Sequence, residues 1–440
     1  MKTWFINLWS LLRSSYWFIP FMMAVAAILL SIGVILLDKW VIEHSNTANE
    51  WLFIIRPDGA RAILTTIAGS MITVAGVTFS MTVLAVSFSM GQISPRLIQN
   101  FMRDRANQFT LGVFIATFLY SMLVLLAVIG TNKPGTHAFV PHFAILIAII
   151  MAIICIGFFI FFIHHVPESI NIFNLLSKIS NEYHIQLNLL FPDETKLPNK
   201  KNDEQTALPD FCKAAQPIFS KKNGYIRYID KDALLKLAIE MDCMIAIKYR
   251  PGVFVSQETP LIYVNKSLDK NQQHDCLNCF AIGHEKDQSH DILFLSDEIV
   301  EIIARALSPG INSPFIAIAA IDWLQIMIGS LSKREIIDTR LYDENHQLRI
   351  IADNITLTYF IDSVFGGVRS YVSRDRNALL YMLNTIKMML ENSKNAKLNH
   401  LLKLHAKKFF SAGNENLTSS EDKNEAKELI TDILKPEQNR

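Results

Sequence analysis

Ala62–Gln92 reads AILTTIAGSMITVAGVTFSMTVLAVSFSMGQ, about 30 consecutive residues without a charge. A hydrocarbon core needs only about 20 apolar residues in helical form, so this stretch is long enough to cross a bilayer and project beyond it. Three similar runs surround it: Phe18–Leu37, Phe109–Thr131 and Val140–Ile163. Four such runs close together are the pattern of a multi-pass membrane protein. The first is too long for a signal-peptide core and has no small-residue cleavage site at its end, so it reads as a retained helix.

Charge follows the same division. Residues 1–180 hold ten Lys/Arg against six Asp/Glu, and the remaining chain holds 32 against 35. The 440-residue chain is nearly neutral overall, at +1, which gives no clustered basic surface for nucleic acid. Five cysteines at irregular spacing (Cys155, Cys212, Cys243, Cys276, Cys279) argue against a disulfide framework. Orientation rests on basic residues in short loops: Lys2 and Arg13 precede the first run, and Arg96, Arg103 and Arg105 follow the second. Lys39, Arg56 and Arg61 weigh the other way, and the balance places both termini in the cytoplasm. Trp17 and Trp40 flank the first helix as interfacial anchors.

The expected architecture is a bundle of four transmembrane helices (about 18–37, 62–92, 109–131 and 140–163) within residues 1–182. A cytoplasmic α+β domain follows it. Residues 183–209 read as a linker, 210–265 as a small β-rich module, 266–291 as a loop, 292–412 as a helical part and 413–440 as a polar tail.

Within the second run Thr66, Thr73, Ser80 and Ser87 recur every seven residues, with Ser70 on the same side and Gly69 and Gly76 beside it. Two readings of this seam stay open: close helix packing, with hydroxyls bonded back to their own helix, or a polar face lining a path in an oligomer. The runs contain no charged residue, which removes the usual mark of a proton relay or voltage sensor. Arg96, Arg103 and Arg105 set topology or meet anionic headgroups.

In the second half, Arg305, Ser308, Asn312 and Ser313 belong to a helix, a tight Ser308-Pro309-Gly310 turn, and a new helix capped by Ser313 with Pro314 in its first turn. This is a structural hinge or a ligand site at a helix N-terminus. His274, Cys276, Cys279 and His284 form a weak zinc pattern that lacks a second spaced pair, so no metal or other cofactor is expected. Asp287, His290 and Asp291 are the one cluster to suggest an enzyme, and no phosphate loop, G-x-S-x-G or H-E-x-x-H motif supports one.

Ser94-Pro95-Arg96, Arg103-Asp104-Arg105, Leu111-Gly112 and above all Arg305-Ala306-Leu307-Ser308-Pro309-Gly310-Ile311-Asn312 resemble the bacterial predicted membrane proteins of domain-of-unknown-function family 2254. Gly224-Tyr225-Ile226 and Arg250-Pro251-Gly252 with Phe254-Val255 fit the same pattern, and the likeness runs from the first helix to about residue 410. Ser313 stands where that family usually has Asp, and Val253 and Glu258 where it tends to have Asp and Gly. The resemblance implies a multi-pass bacterial inner-membrane protein and assigns no reaction. Two functions therefore remain: an oligomeric channel or passive transporter lined by the second helix, and a membrane-anchored sensor or scaffold whose cytoplasmic domain binds a ligand or protein. The expected partners are the lipid bilayer and further copies of the chain.

Overall fold

The computed structural model describes residues 17–44, 56–92, 104–130, 139–190, 211–213, 215–286, 291–334, 340–353 and 355–435. They divide into two compact units, Met1–Asn174 and Leu175–Arg440.

The first unit consists of α1 (Phe18–His44), α2 (Pro57–Gln92), α3 (Arg105–Ala127) and α4 (His142–Ile170). All four are long and apolar enough to cross a membrane. Each differs in extent from its apolar run because a helix does not stop where hydrocarbon does. α1 continues through Asp38 and Lys39 to His44, and α4 passes Pro167 to end at Ile170. α3 is the hub, packing on α1, α2 and α4. Ala116, Tyr120 and Val124 of α3 join Ala60 and Leu64 of α2 and Ala144 and Ala148 of α4 in one core. Leu111 and Phe114 of α3 meet Met71 and Ala75 of α2 in another.

Asp38 is buried, and its carboxylate accepts from the backbone N–H groups of Phe143 (3.1 Å) and Ala144 (3.0 Å). One membrane helix thereby caps the first turn of another, satisfying donors that an α-helix leaves free. Asp104 caps α3 in the ordinary way, accepting from Ala106 N–H at 2.9 Å. Its second oxygen lies 2.7 Å from Nε2 of His165 near the end of α4.

A single residue, Asn171, separates α4 from α5 (Ile172–Leu190). Leu176, Ile179, Tyr183 and Leu187 of α5 are buried at helical spacing. The segment read as a linker from residue 183 is therefore helical as far as Leu190.

Two sheets follow in the second unit. Strands β1 (Gln216–Phe219), β2 (Gly224–Ile229), β3 (Ile245–Ile247), β4 (Phe254–Val255), β5 (Pro260–Val264), β6 (Phe280–Gly283), β7 (Arg340–Tyr342) and β8 (Leu348–Ala352) pair in the orders β1-β5-β3-β8-β7 and β4-β2-β6. Helices α6 (Lys231–Glu240) and α7 (Lys270–Asn278) lie between strands. The β-rich module is larger than residues 210–265. β6 comes from the segment read as a loop, and β8 pairs parallel with β3 from within the segment read as helical. The loop reading of 266–291 also missed α7, whose Asp269 and Gln272 form a capping box.

The remaining helices are α8 (Ile292–Ala306), α9 (Pro314–Ser332), α10 (Leu357–Val372), α11 (Arg376–Asn392), α12 (Ala396–Asn416) and α13 (Ser420–Leu434). α9 also has the length and apolarity of a membrane span. Its buried stripe of Ala317, Ala320, Ile321, Leu324, Met327, Ile328 and Leu331 packs in the second unit, where α9 meets α8 and α11. α13 occupies the region read as a polar tail and buries Ala426, Ile430 and Ile433.

Candidate functional site

The hydroxyl seam of α2 faces outward. Thr66, Ser70, Thr73, Ser80 and Ser87 are all exposed in the protomer, and the packed stripe of Leu64, Ala68, Met71, Ala75, Thr78 and Thr82 lies on the opposite side. At about 100° per residue the two stripes are roughly 175° apart. Val77 and Leu84 fall on the hydroxyl side and are exposed too, at 47% and 70%, so the seam alternates hydroxyl and apolar surface. A methyl group placed on Gly69 or Gly76 would touch nothing. Thr66 and Thr73 donate to the carbonyls of Ala62 and Gly69, each at 2.8 Å. Those bonds satisfy the hydroxyl hydrogens and leave oxygen lone pairs facing out. Arg96 and Arg103 lie outside the described residues, and Arg105 is exposed at the start of α3.

In the second unit the fold unites three separate segments. Gly252 N–H donates to Ile226 O at 2.8 Å and Ile226 N–H to Val253 O at 3.0 Å, which seats the Arg250-Pro251-Gly252 turn on β2. Gly252 has φ +89°, a conformation L side chains rarely adopt, and a Cβ there would collide with the Asp291 carboxylate. Asp291 is 3% exposed and caps α8 through Leu293 N–H at 3.0 Å. Burial pushes its carboxyl up to about 6, opposed by the charges of Lys286 and Arg250 and by the bond from Leu293.

Two cations act on this carboxyl, and each lies over a ring. The Arg250 guanidinium lies 4.4 Å from the centre of the Tyr359 ring and 3.8 Å from Asp353. Lys286 lies 5.9 Å from the Tyr225 ring centre and 3.8 Å from Asp297. Tyr225 packs edge-on against Phe254 at 5.2 Å. A buried acid that titrates near neutrality beside an arginine and a lysine is suited to bind a polar ligand or to exchange a proton with one. Asp287 and His290 fall outside the described residues. Asp291 alone of that cluster is placed, and its partners Arg250 and Gly252 were not foreseen.

The kinked turn lies at the other end of α8. Ser308 donates from Oγ to Arg305 O at 2.6 Å, Ser313 N–H to Ala306 O at 2.7 Å, and Asn312 takes φ +45°. Arg305 pairs with Glu301 at 3.4 Å. Ser313 holds the N-cap position of α9, but its side chain makes no capping bond, contrary to the reading from sequence. Cys276 and Cys279 are buried, Cys276 among the apolar residues of the sheet core. Burial pushes their thiols up to about 12 and about 11, so both keep their protons at neutral pH. His274 and His284 are exposed, and Nδ1 of His274 is 2.8 Å from Lys221 Nζ. The Cys-x-x-Cys spacing is thus absorbed by packing.

Four long apolar helices and an α/β unit with two small sheets define a multi-pass membrane protein carrying a substantial folded domain. The chain belongs to the predicted membrane protein family of domain of unknown function 2254, whose profile matches residues 13–388. It is 27% identical over 358 residues to uncharacterized proteins of Mycobacterium bovis and of Mycobacterium tuberculosis strain H37Rv, covering 80% of this chain and 67% of each relative. No solved structure matches it.

Proposed function

We propose that the protein is a homo-oligomeric channel or passive transporter of the bacterial inner membrane, with α2 lining the path and both termini in the cytoplasm. The observation that carries this reading is the outward placement of Thr66, Ser70, Thr73, Ser80 and Ser87, opposite the stripe that packs α2 into its own bundle. Hydroxyls facing lipid alone gain nothing. The same hydroxyls around a symmetry axis meet water, while Gly69 and Gly76 let neighbouring helices approach closely. The test is planar-bilayer recording of the full chain with Thr73→Cys or Ser80→Cys. Unitary currents blocked by a polar thiol reagent support the channel, and silent bilayers with unreactive thiols overturn it.

One observation favours a sensor. A cleft of about 1040 Å³ opens between α9, α11 and α12, lined by Gln325, Ser330, Lys333, Asn392 and Lys394 among others, with no carboxylate among the described residues of its lining. Its size and positive lining suit a small organic anion. Ser330 also meets Nε2 of His184 on α5 at 2.9 Å, so an occupant of the cleft would lie against a side chain that is itself bonded to the helix following α4 in the chain. Binding of such an anion by a protein whose bilayers stay silent is the outcome that favours this reading.

A further inference from the structure

The polar side chains of α3 point inward. Asn107, Thr110, Phe114, Thr117, Ser121 and Val124 recur at steps of three and four and are all buried, so they form one face of the most enclosed membrane helix. The threonines are accounted for locally. Thr110 and Thr117 donate to Ala106 O and Val113 O, each at 2.8 Å, as threonines in membrane helices commonly do. Thr117 also lies 3.1 Å from Sγ of Cys155 on α4.

Asn107 and Ser121 are different. Asn107 is 2% exposed, and among the described residues neither its Nδ2 nor its Oδ1 has a hydrogen-bond partner. Oγ of Ser121, fully buried, has none either. A carboxamide offers donors and acceptors together, and such groups in protein interiors are nearly always satisfied. The species that supplies both from a small volume is water.

Titratable groups stand at both ends of this face. At one end Asp104 caps α3 and meets His165 at 2.7 Å, with Asn107 three residues further along the same side. Arg105 and His164, both exposed, are the neighbouring basic residues. At the other end Tyr120 donates to Ala144 O at 3.1 Å, and Ala144 N–H donates to the buried Asp38. Among the described residues, His142 on α4, Lys39 over the Phe139 ring, and Arg61 bonded to Val128 O are further charged or titratable groups there. From Asn107 to Ser121 the face rises about 21 Å, most of a bilayer core.

We propose that the interior of each four-helix bundle is a proton-transfer path, carried by water between the Asp104–His165 pair and Asp38, with Phe114 as its barrier. In each hop one O–H or N–H bond breaks as the next forms. A proton accepted at one end is released at the other, nothing is consumed, and the driving force is the transmembrane gradient. This path lies inside one protomer and needs no oligomer, so it stands apart from the α2 seam.

The test uses the full chain in liposomes with trapped pyranine and a potassium gradient opened by valinomycin. Wild type should dissipate the proton gradient faster than empty liposomes. Asn107→Leu and Ser121→Ala should slow the protein-dependent rate about tenfold, and Phe114→Ala should raise it several-fold. Ser121→Ala is small enough to fold even where Asn107→Leu does not. A wild-type rate equal to that of empty liposomes overturns the proposal, as does a Ser121→Ala rate equal to wild type. Unitary currents through labelled Thr73→Cys report on the α2 seam and do not enter this measurement.

Discussion

The carboxylate of Asp291 lies against Gly252, so closely that no side chain fits on the glycine. The contact joins the turn after β3 to the first residue before α8, two segments that nothing in the sequence connects. Gly252→Ala combines a clash with a positive φ. We expect a loss of about 2–4 kcal/mol in stability of the second unit, seen as a lower thermal unfolding midpoint. A variant that melts with the wild type would show that the turn relaxes freely.

Asp291 also predicts a pH dependence. Its folded carboxyl titrates near 6, above the ordinary value of 3.8. The folded state therefore binds the proton more tightly than the unfolded chain. The contribution is fully present below about pH 4 and lost as pH rises through about 6, at most about 3 kcal/mol. Asp291→Asn keeps an acceptor for Leu293 N–H and removes the titration. Its stability relative to wild type should improve steadily from pH 4 to 7 in thermal melts, and a constant difference would count against the buried acid.

Asp38 tests the membrane bundle. Asp38→Ala leaves the N–H groups of Phe143 and Ala144 without their acceptor inside the protein, which costs about 1–3 kcal/mol. Asp38→Asn retains one acceptor oxygen and should lie between Ala and wild type. The detergent-solubilised chain, heated and assayed for aggregation, gives the order directly.

Cys276 and Cys279 should resist alkylation. With thiols held near 12 and 11 and buried, iodoacetamide at pH 8 should label them far more slowly than Cys212, which is half-exposed. Mass spectrometry of peptides after timed labelling measures the ratio, and equal rates would place the pair at the surface.

The membrane helices were legible because absence of charge over about 20 residues is a strong signal that needs no partner to interpret. The polar face of α3 was not. Asn107, Thr110, Thr117 and Ser121 are diluted among apolar neighbours, and the hydroxyl repeat of α2 is the more regular pattern. The sheets were half legible. β2, β3 and β5 read as short apolar or aromatic runs set off by turn residues such as Arg250-Pro251-Gly252, whereas β7 and β8 flank Asp343–His346, whose turn is recognisable only beside a partner strand. α7 carried its capping signal, Asp269 and Gln272, in a stretch that histidines and cysteines made look like a metal loop. The Arg250–Asp291 site could not be assembled beforehand, because its members stand about 40 residues apart and only the β2 pairing brings them together.

The parallel pairing of β3 with β8 carries a cost during synthesis. Ile245 aligns with Ile350, so the middle strand of the five-stranded sheet has one open edge until about 100 further residues have left the ribosome. At about 5–20 residues per second that is a wait of roughly 5–20 s. During this interval the nascent chain presents Ile245–Ile247 to any other strand, and a chaperone or a neighbouring polypeptide has that long to reach it first.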